Sequence, residues 1–151
     1  MLETFQPLLQ AAHGVPLDDP AAAVSELNAR FDPAGPEAAA LNEALKLLLQ
    51  EGRIAERGEL PVRWGRAAKP SPESLGFSID VVLMNGAGPR HRHPLGEVNY
   101  CVAIEDSPTF QDQAPGWVVE SPGSEHVPTV TGGLMLIVYL LPEGSMEFLG
   151  A

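Results

Sequence analysis

At 151 residues the chain is long enough to bury a substantial core, and one domain over residues 1–151 is the expectation. Hydrophobic residues make up 44% and charged residues 19%, which excludes a mostly disordered chain. Acidic residues outnumber basic ones by 20 to 9, a formal charge of -11 with no basic stripe to offset it, so nucleic acid and anionic membrane are poor partners and a small ligand is the better expectation.

Residues 1–55 read as a helical N-terminal extension. Leu2, Phe5, Leu8, Leu9 and Ala12 recur at helical spacing before Gly14. Asp19-Pro20 offers an N-cap followed by proline at the first helical position, and Val24, Leu27 and Phe31 stripe the helix that follows. A third helix begins at Pro36 and places Leu41, Leu45, Leu48 and Leu49 on one face before Gly52 stops it; these leucines read as core or dimer-contact positions. His13, at the end of the first helix, reads as a residue favoured by the helix dipole and not as a ligand.

From residue 56 onward glycine and proline punctuation replaces the helical stripes. Leu60–Arg66, Phe77–Met84, Glu97–Ile104, Gly116–Glu120 and Leu134–Leu141 read as strands, and the nearly unbroken apolar run of the last predicts a central strand covered on both faces. A helical front on about seven or more short strands predicts a small β-barrel or double-sheet jelly roll over residues 56–151. The one cysteine, Cys101, precludes an intramolecular disulfide and reads as a buried structural thiol. No leader-like segment opens the chain and no uncharged stretch reaches membrane-spanning length, so the cytoplasm is the expected location.

Chemistry concentrates in His91-Arg92-His93-Pro94-Leu95-Gly96-Glu97. On a strand, alternate side chains share a face, so His91 and His93 project together while Arg92 points away. Glu97 can join them after the Pro-Leu-Gly bend, and Ser121-Pro122-Gly123-Ser124-Glu125-His126 brings a third imidazole. Three nitrogens and one oxygen suit a first-row divalent metal with positions left open for water or substrate. The same cluster without metal would serve direct acid–base chemistry. Asn99 shares the parity of Glu97 and is expected to line the same cavity, with Tyr100 facing the other way. Trp117 and Tyr139 read as core aromatics, either of which could border a pocket.

His91, His93 and Glu97 fit the spacing of the first cupin motif, H-x-H-x(3,4)-E. Gly116 and Pro122 have the separation of the second, but the approach to His126 is one residue short and the trailing Asn is absent. Over nearly the whole chain the sequence resembles the 4-hydroxylaminobenzoate lyase family, a cupin-like group from bacterial nitroaromatic degradation. The segments that carry the likeness are Glu51-Gly52-Arg53, Pro70-Ser71-Pro72-Glu73-Ser74-Leu75-Gly76-Phe77-Ser78-Ile79, His93 to Asn99, Gly116-Trp117, Pro122 to His126 and Gly132-Gly133, with Gly14-Val15-Pro16-Leu17-Asp18 in the helical front.

The resemblance implies conversion of 4-hydroxylaminobenzoate and water into 3,4-dihydroxybenzoate and ammonia. That balance is redox-neutral, so neither NAD nor flavin is called for. It implies His91, His93, Glu97 and His126 as catalytic and metal-holding residues, with Glu97 shuttling protons. The substrate carboxylate needs an anchor, for which Arg63 and Arg66 are candidates beside Asn99, since Arg92 faces away. A metal-dependent cupin oxygenase on a small aromatic acid and a non-catalytic ligand-binding cupin are the alternatives. A homodimer is expected because closed twofold pairs are the commonest assembly.

Overall fold

The structure, a computed structural model, describes residues 1–149; residues 150–151, the end of the expected domain, lie outside the described residues. The helices are α1 (Leu2–Ala12), α2 (Pro20–Arg30) and α3 (Pro36–Gln50). The strands are β1 (Arg57–Glu59), β2 (Val62–Ala68), β3 (Phe77–Met84), β4 (His91–His93), β5 (Glu97–Phe110), β6 (Gly116–Glu120), β7 (Ser124–His126), β8 (Val130–Pro142) and β9 (Glu147–Phe148).

Local chemistry sets the helix starts: the Asp19 carboxylate accepts from the Ala22 amide at 3.3 Å, and Pro20 and Pro36 open α2 and α3, where a missing N–H costs nothing. His13 caps α1 through its backbone N–H to the Leu9 carbonyl, and its ring is exposed.

The strands form an antiparallel six-stranded sheet in the order β1-β2-β3-β8-β5-β6 and a three-stranded sheet in the order β7-β4-β9. This is a mainly β architecture with a helical front. β8 lies between β3 and β5, which is why the whole run Met135–Leu141 is buried. β5 runs six residues past its expected end, through two register shifts between Ala103 and Thr109. The polar stretch Glu105–Ser107 at those bulges hides the continuation from a reading based on alternation.

The period of two along β5 divides the interior into two cores. Val98, Tyr100 and Val102 face outward and pack with Phe5, Leu8, Leu27 and Leu45 of the helices. Each such helix side chain, when buried, contributes about 1.5–3 kcal/mol of transfer free energy. Two hydrogen bonds fix the helices to the sheet: the Tyr100 hydroxyl donates to Asn42 Oδ1 at 2.8 Å, and Trp117 Nε1 donates to the Phe31 carbonyl at 2.9 Å. Leu41, Leu45 and Leu48 are all buried in this layer, so the leucine stripe of α3 serves the chain's own core.

On the other face of the large sheet, Cys101, Met135, Ile137 and Tyr139 belong to the second core, and Glu97 and Asn99 share their side. The small sheet covers that face, with the His91 ring against Tyr139 and the His126 ring against Phe110. The candidate site therefore lies between the two sheets, away from the helices.

Candidate metal centre

Cross-strand pairing assembles the imidazoles. β4 and β7 pair His91 with His126 and His93 with Ser124, while Arg92 pairs with Glu125 on the opposite face. The His126 ring centroid consequently lies 4.6 Å from that of His91 and 4.5 Å from that of His93. The short approach through Pro122-Gly123 thus brings His126 into register despite its departure from the cupin spacing. Gly96, at φ +89°, turns the chain between His93 and Glu97, and a side chain there would begin 2.9 Å from Leu17 Cδ1 and 3.1 Å from the Glu120 carbonyl.

Glu97 returns from that turn as the first residue of β5, fully buried, with Oε2 3.0 Å from His93 Nε2 and 3.4 Å from His91 Nε2. One candidate ligand atom from each of His91, His93, Glu97 and His126 lies within 4.8 Å of all the others.

The outward nitrogens settle which atoms face inward. His91 Nδ1 lies 3.3 Å from the Pro89 carbonyl, which can only accept, so Nδ1 carries the proton. The Ser124 hydroxyl donates to the Ser121 carbonyl at 2.6 Å and therefore accepts from His93 Nδ1 at 2.9 Å. His126 Nδ1 points to Glu120 Oε1 at 3.4 Å. Lone pairs at Nε2 of His91 and His93 then face the Glu97 carboxylate, and among the described residues neither these two atoms, nor either ring nitrogen of His126, nor Glu97 Oε2 has a hydrogen-bond partner.

Each unpaired buried polar atom costs about 1–3 kcal/mol. Together they would forfeit a large share of the roughly 5–15 kcal/mol that holds a domain folded. A cation among them removes that cost, so the donor set fits a divalent first-row metal. Burial raises the Glu97 pKa, and hydrogen bonds and charge from protonated His91 and His93 would lower it to about 2; with lone pairs at both Nε2 atoms, a cation would supply that positive charge and keep the carboxyl anionic. Its Oε1 accepts from Asn99 Nδ2 at 2.6 Å, leaving Asn99 Oδ1 buried and unpaired.

A pocket of about 410 Å³ opens from His91 toward β2 and β3. Its walls are largely apolar, including Trp64, Val82, Met84, Tyr139, Met146 and Phe148, which suits the faces of an aromatic ring. Arg66 lies at its far side. Asp80 accepts from Arg66 Nε at 2.7 Å and from Nη2 at 3.3 Å, and Ser78 Oγ secures Asp80 Oδ2 at 2.7 Å. That occupies one edge of the guanidinium and leaves the Nη1–Nη2 edge open. Gly144, without a side chain, leaves room beside Nη1.

Arg63 does not reach this pocket. It lies one residue from Trp64 on β2 and so projects from the other face, where its Nε donates to the Ala55 carbonyl at 3.1 Å. Arg92 also faces away, 3.8 Å from Glu147. Two contributors escaped the sequence reading: Ser124, seen there only as part of a turn, and Glu120, behind His126; Tyr139 is both a core aromatic and a pocket wall. The i, i+2 relation of Ser124 to His126 was the signal for the first.

A sequence profile described as PnbB, 4-hydroxylaminobenzoate lyase, matches residues 3–148. Two curated relatives are both named 4-hydroxylaminobenzoate lyase. That of Pseudomonas putida is 28% identical over 102 residues, covering 57% of this chain and 58% of the relative. That of Nocardioides sp. (strain LMS-CY) is 32% identical over 94 residues, covering 57% of this chain and 56% of the relative. The matched segments thus span a little over half the length of those relatives. Among solved structures, an RmlC-like cupin protein from Ralstonia eutropha is similar at a TM-score of 0.46 and 20% identity, over 61% of this chain and 62% of that one. A cupin-like protein from Thermotoga maritima is similar at a TM-score of 0.42 and 13% identity, over 60% and 77%. Because that profile matches residues 3–148, nearly all of the chain, the chain belongs to the 4-hydroxylaminobenzoate lyase family.

Proposed function

We propose that the chain is a lyase that converts 4-hydroxylaminobenzoate and water into 3,4-dihydroxybenzoate and ammonia in the pocket between the sheets. The observation that carries this reading is the buried His91, His93, Glu97 and His126 cluster, of which His91 lines one end of an aromatic-walled pocket that Arg66 also lines.

In this reading the open edge of Arg66 binds the substrate carboxylate, held in orientation by Asp80. The ring lies between the apolar walls, with the hydroxylamine toward the histidines. A divalent ion held by His91, His93, Glu97 and His126 would act as a Lewis acid for oxygen. Heterolysis of the N–O bond leaves the electron pair on the departing oxygen, which leaves as water after protonation. A water adds to the ring carbon beside the C–N bond, and a second water hydrolyses the resulting C=N group, releasing ammonia. Two waters enter and one leaves, so one is consumed and no electron acceptor is needed. Asn99, whose side-chain amide donates to Glu97 Oε1, positions that carboxylate.

The test is incubation of untagged protein with 4-hydroxylaminobenzoate, with and without a chelator, while ammonia, 3,4-dihydroxybenzoate and dissolved oxygen are followed. Equimolar ammonia and dihydroxybenzoate without oxygen uptake is the expected result. Oxygen consumption with a different product would instead support the oxygenase alternative, and saturable binding without product would support a binding protein.

A further inference from the structure

A row of polar side chains crosses the pocket-facing side of the large sheet. Arg66 pairs across strands with Asp80, Asp80 with Tyr139, and Tyr139 with Asn99, whose amide holds Glu97. Tyr139 therefore stands between the proposed carboxylate anchor and the histidine cluster, its ring centroid 6.5 Å from that of His91.

The proton inventory of the site gives that position a meaning. The Nδ1 protons of His91 and His93 are spent on the Pro89 carbonyl and Ser124, and His126, with Nδ1 3.4 Å from Glu120 Oε1, is not among the residues that line the pocket. Glu97 is acceptor-only, and Asn99 Nδ2 is engaged with it. The cluster thus meets the pocket only through His91, whose ring proton is already spent, whereas departure of an oxygen from nitrogen requires a donor. Among the pocket-lining side chains, Trp64 stands half exposed at the mouth and Arg66 at the far side. Tyr139 is the lining O–H beside the cluster. Among the described residues its hydroxyl has no protein hydrogen-bond partner, and it is not one of the sealed, unpaired buried atoms, so it opens to the pocket.

Resting on the lyase reading, we propose that Tyr139 is a catalytic residue, the donor that protonates the oxygen leaving the hydroxylamine nitrogen. The N–O bond breaks with its electron pair on oxygen, the Tyr139 proton passes to that oxygen, and water is released. The water that adds to the ring forms the new C–O bond and returns its proton to the phenolate. The donor is thereby restored without any outside reactant.

Tyr139→Phe removes the hydroxyl and keeps the ring. The expected result is a loss of about 100-fold or more in kcat, with metal content unchanged and the Kd for 4-aminobenzoate, a substrate mimic with no N–O bond, within about twofold of the unmodified protein. Tyr139→Met, which deletes the same hydroxyl, is measured alongside, and the same split is expected in whichever variant folds. Unchanged kcat overturns the proposal. So does a joint loss of turnover, metal and 4-aminobenzoate binding, or failure of both variants to fold, because either outcome assigns Tyr139 a structural role. If the unmodified protein does not turn over 4-hydroxylaminobenzoate, the lyase reading fails and the donor role falls with it. Unchanged kcat in Tyr139→Phe with an active parent sinks the donor role alone.

Discussion

Ser124 shows how one small side chain decides what a histidine can do. Because its hydroxyl proton goes to the Ser121 carbonyl, it must accept from His93 Nδ1, and the Nε2 lone pair is then turned toward Glu97. Such supporting hydrogen bonds tune metal affinity by about 10–100-fold. Ser124→Ala is therefore expected to weaken binding of a divalent ion by about tenfold, measured by competition with a chromophoric chelator, while the fold is retained. An unchanged affinity would mean that His93 is oriented by its packing alone. At this scale the sequence was partly legible. The spacing of His91 and His93 already placed them on one face, and the parity of Glu97 and Asn99 placed those two together. Which of Arg63 and Arg66 faces the pocket was not legible, because β2 carries large side chains on both faces and its parity relative to the pocket depends on β3.

The turn between β4 and β5 carries the geometry of the cluster at the level of elements. Gly96 holds φ +89°, and a side chain there would press on Leu17 and the Glu120 carbonyl. The left-handed conformation alone costs a residue with a Cβ about 1–2 kcal/mol. Gly96→Ala is expected to destabilise the protein by at least that amount in denaturant unfolding and to lower metal affinity, since Glu97 follows directly. A variant with unchanged stability and affinity would show that the turn is not what places the carboxylate. The partner of β4 was harder to read. That β7 pairs with it residue for residue depends on a return of the chain over some thirty positions, and no local spacing encodes such a return. The long polar bulges of β5 hid that strand's length for a related reason: alternation lapses wherever a bulge inserts a residue.

Across the whole molecule, stability and chemistry occupy opposite faces of one sheet. The three helices bury their stripes on the outer face, tied through Tyr100 and Trp117, while the inner face carries Glu97, Asn99 and Tyr139 beneath the small sheet. The stripes themselves were plain in the sequence, as was the central position of β8. Which surface the helices cover was not, because an amphipathic stripe states that it must be buried without naming its partner. The acidic excess of the chain, at -11, gives no general attraction for an anionic substrate, so recognition of a carboxylate has to come from a directed local group such as the open edge of Arg66. The claim on which the chemistry rests is that the opposed lone pairs of His91, His93, His126 and Glu97 are held together by a cation. Elemental analysis of protein purified without a histidine tag measures this most directly: the account predicts close to one first-row divalent ion per chain, lost in His91→Ala and His93→Ala. Full lyase turnover by protein free of metal, or metal retained after both substitutions, would contradict it.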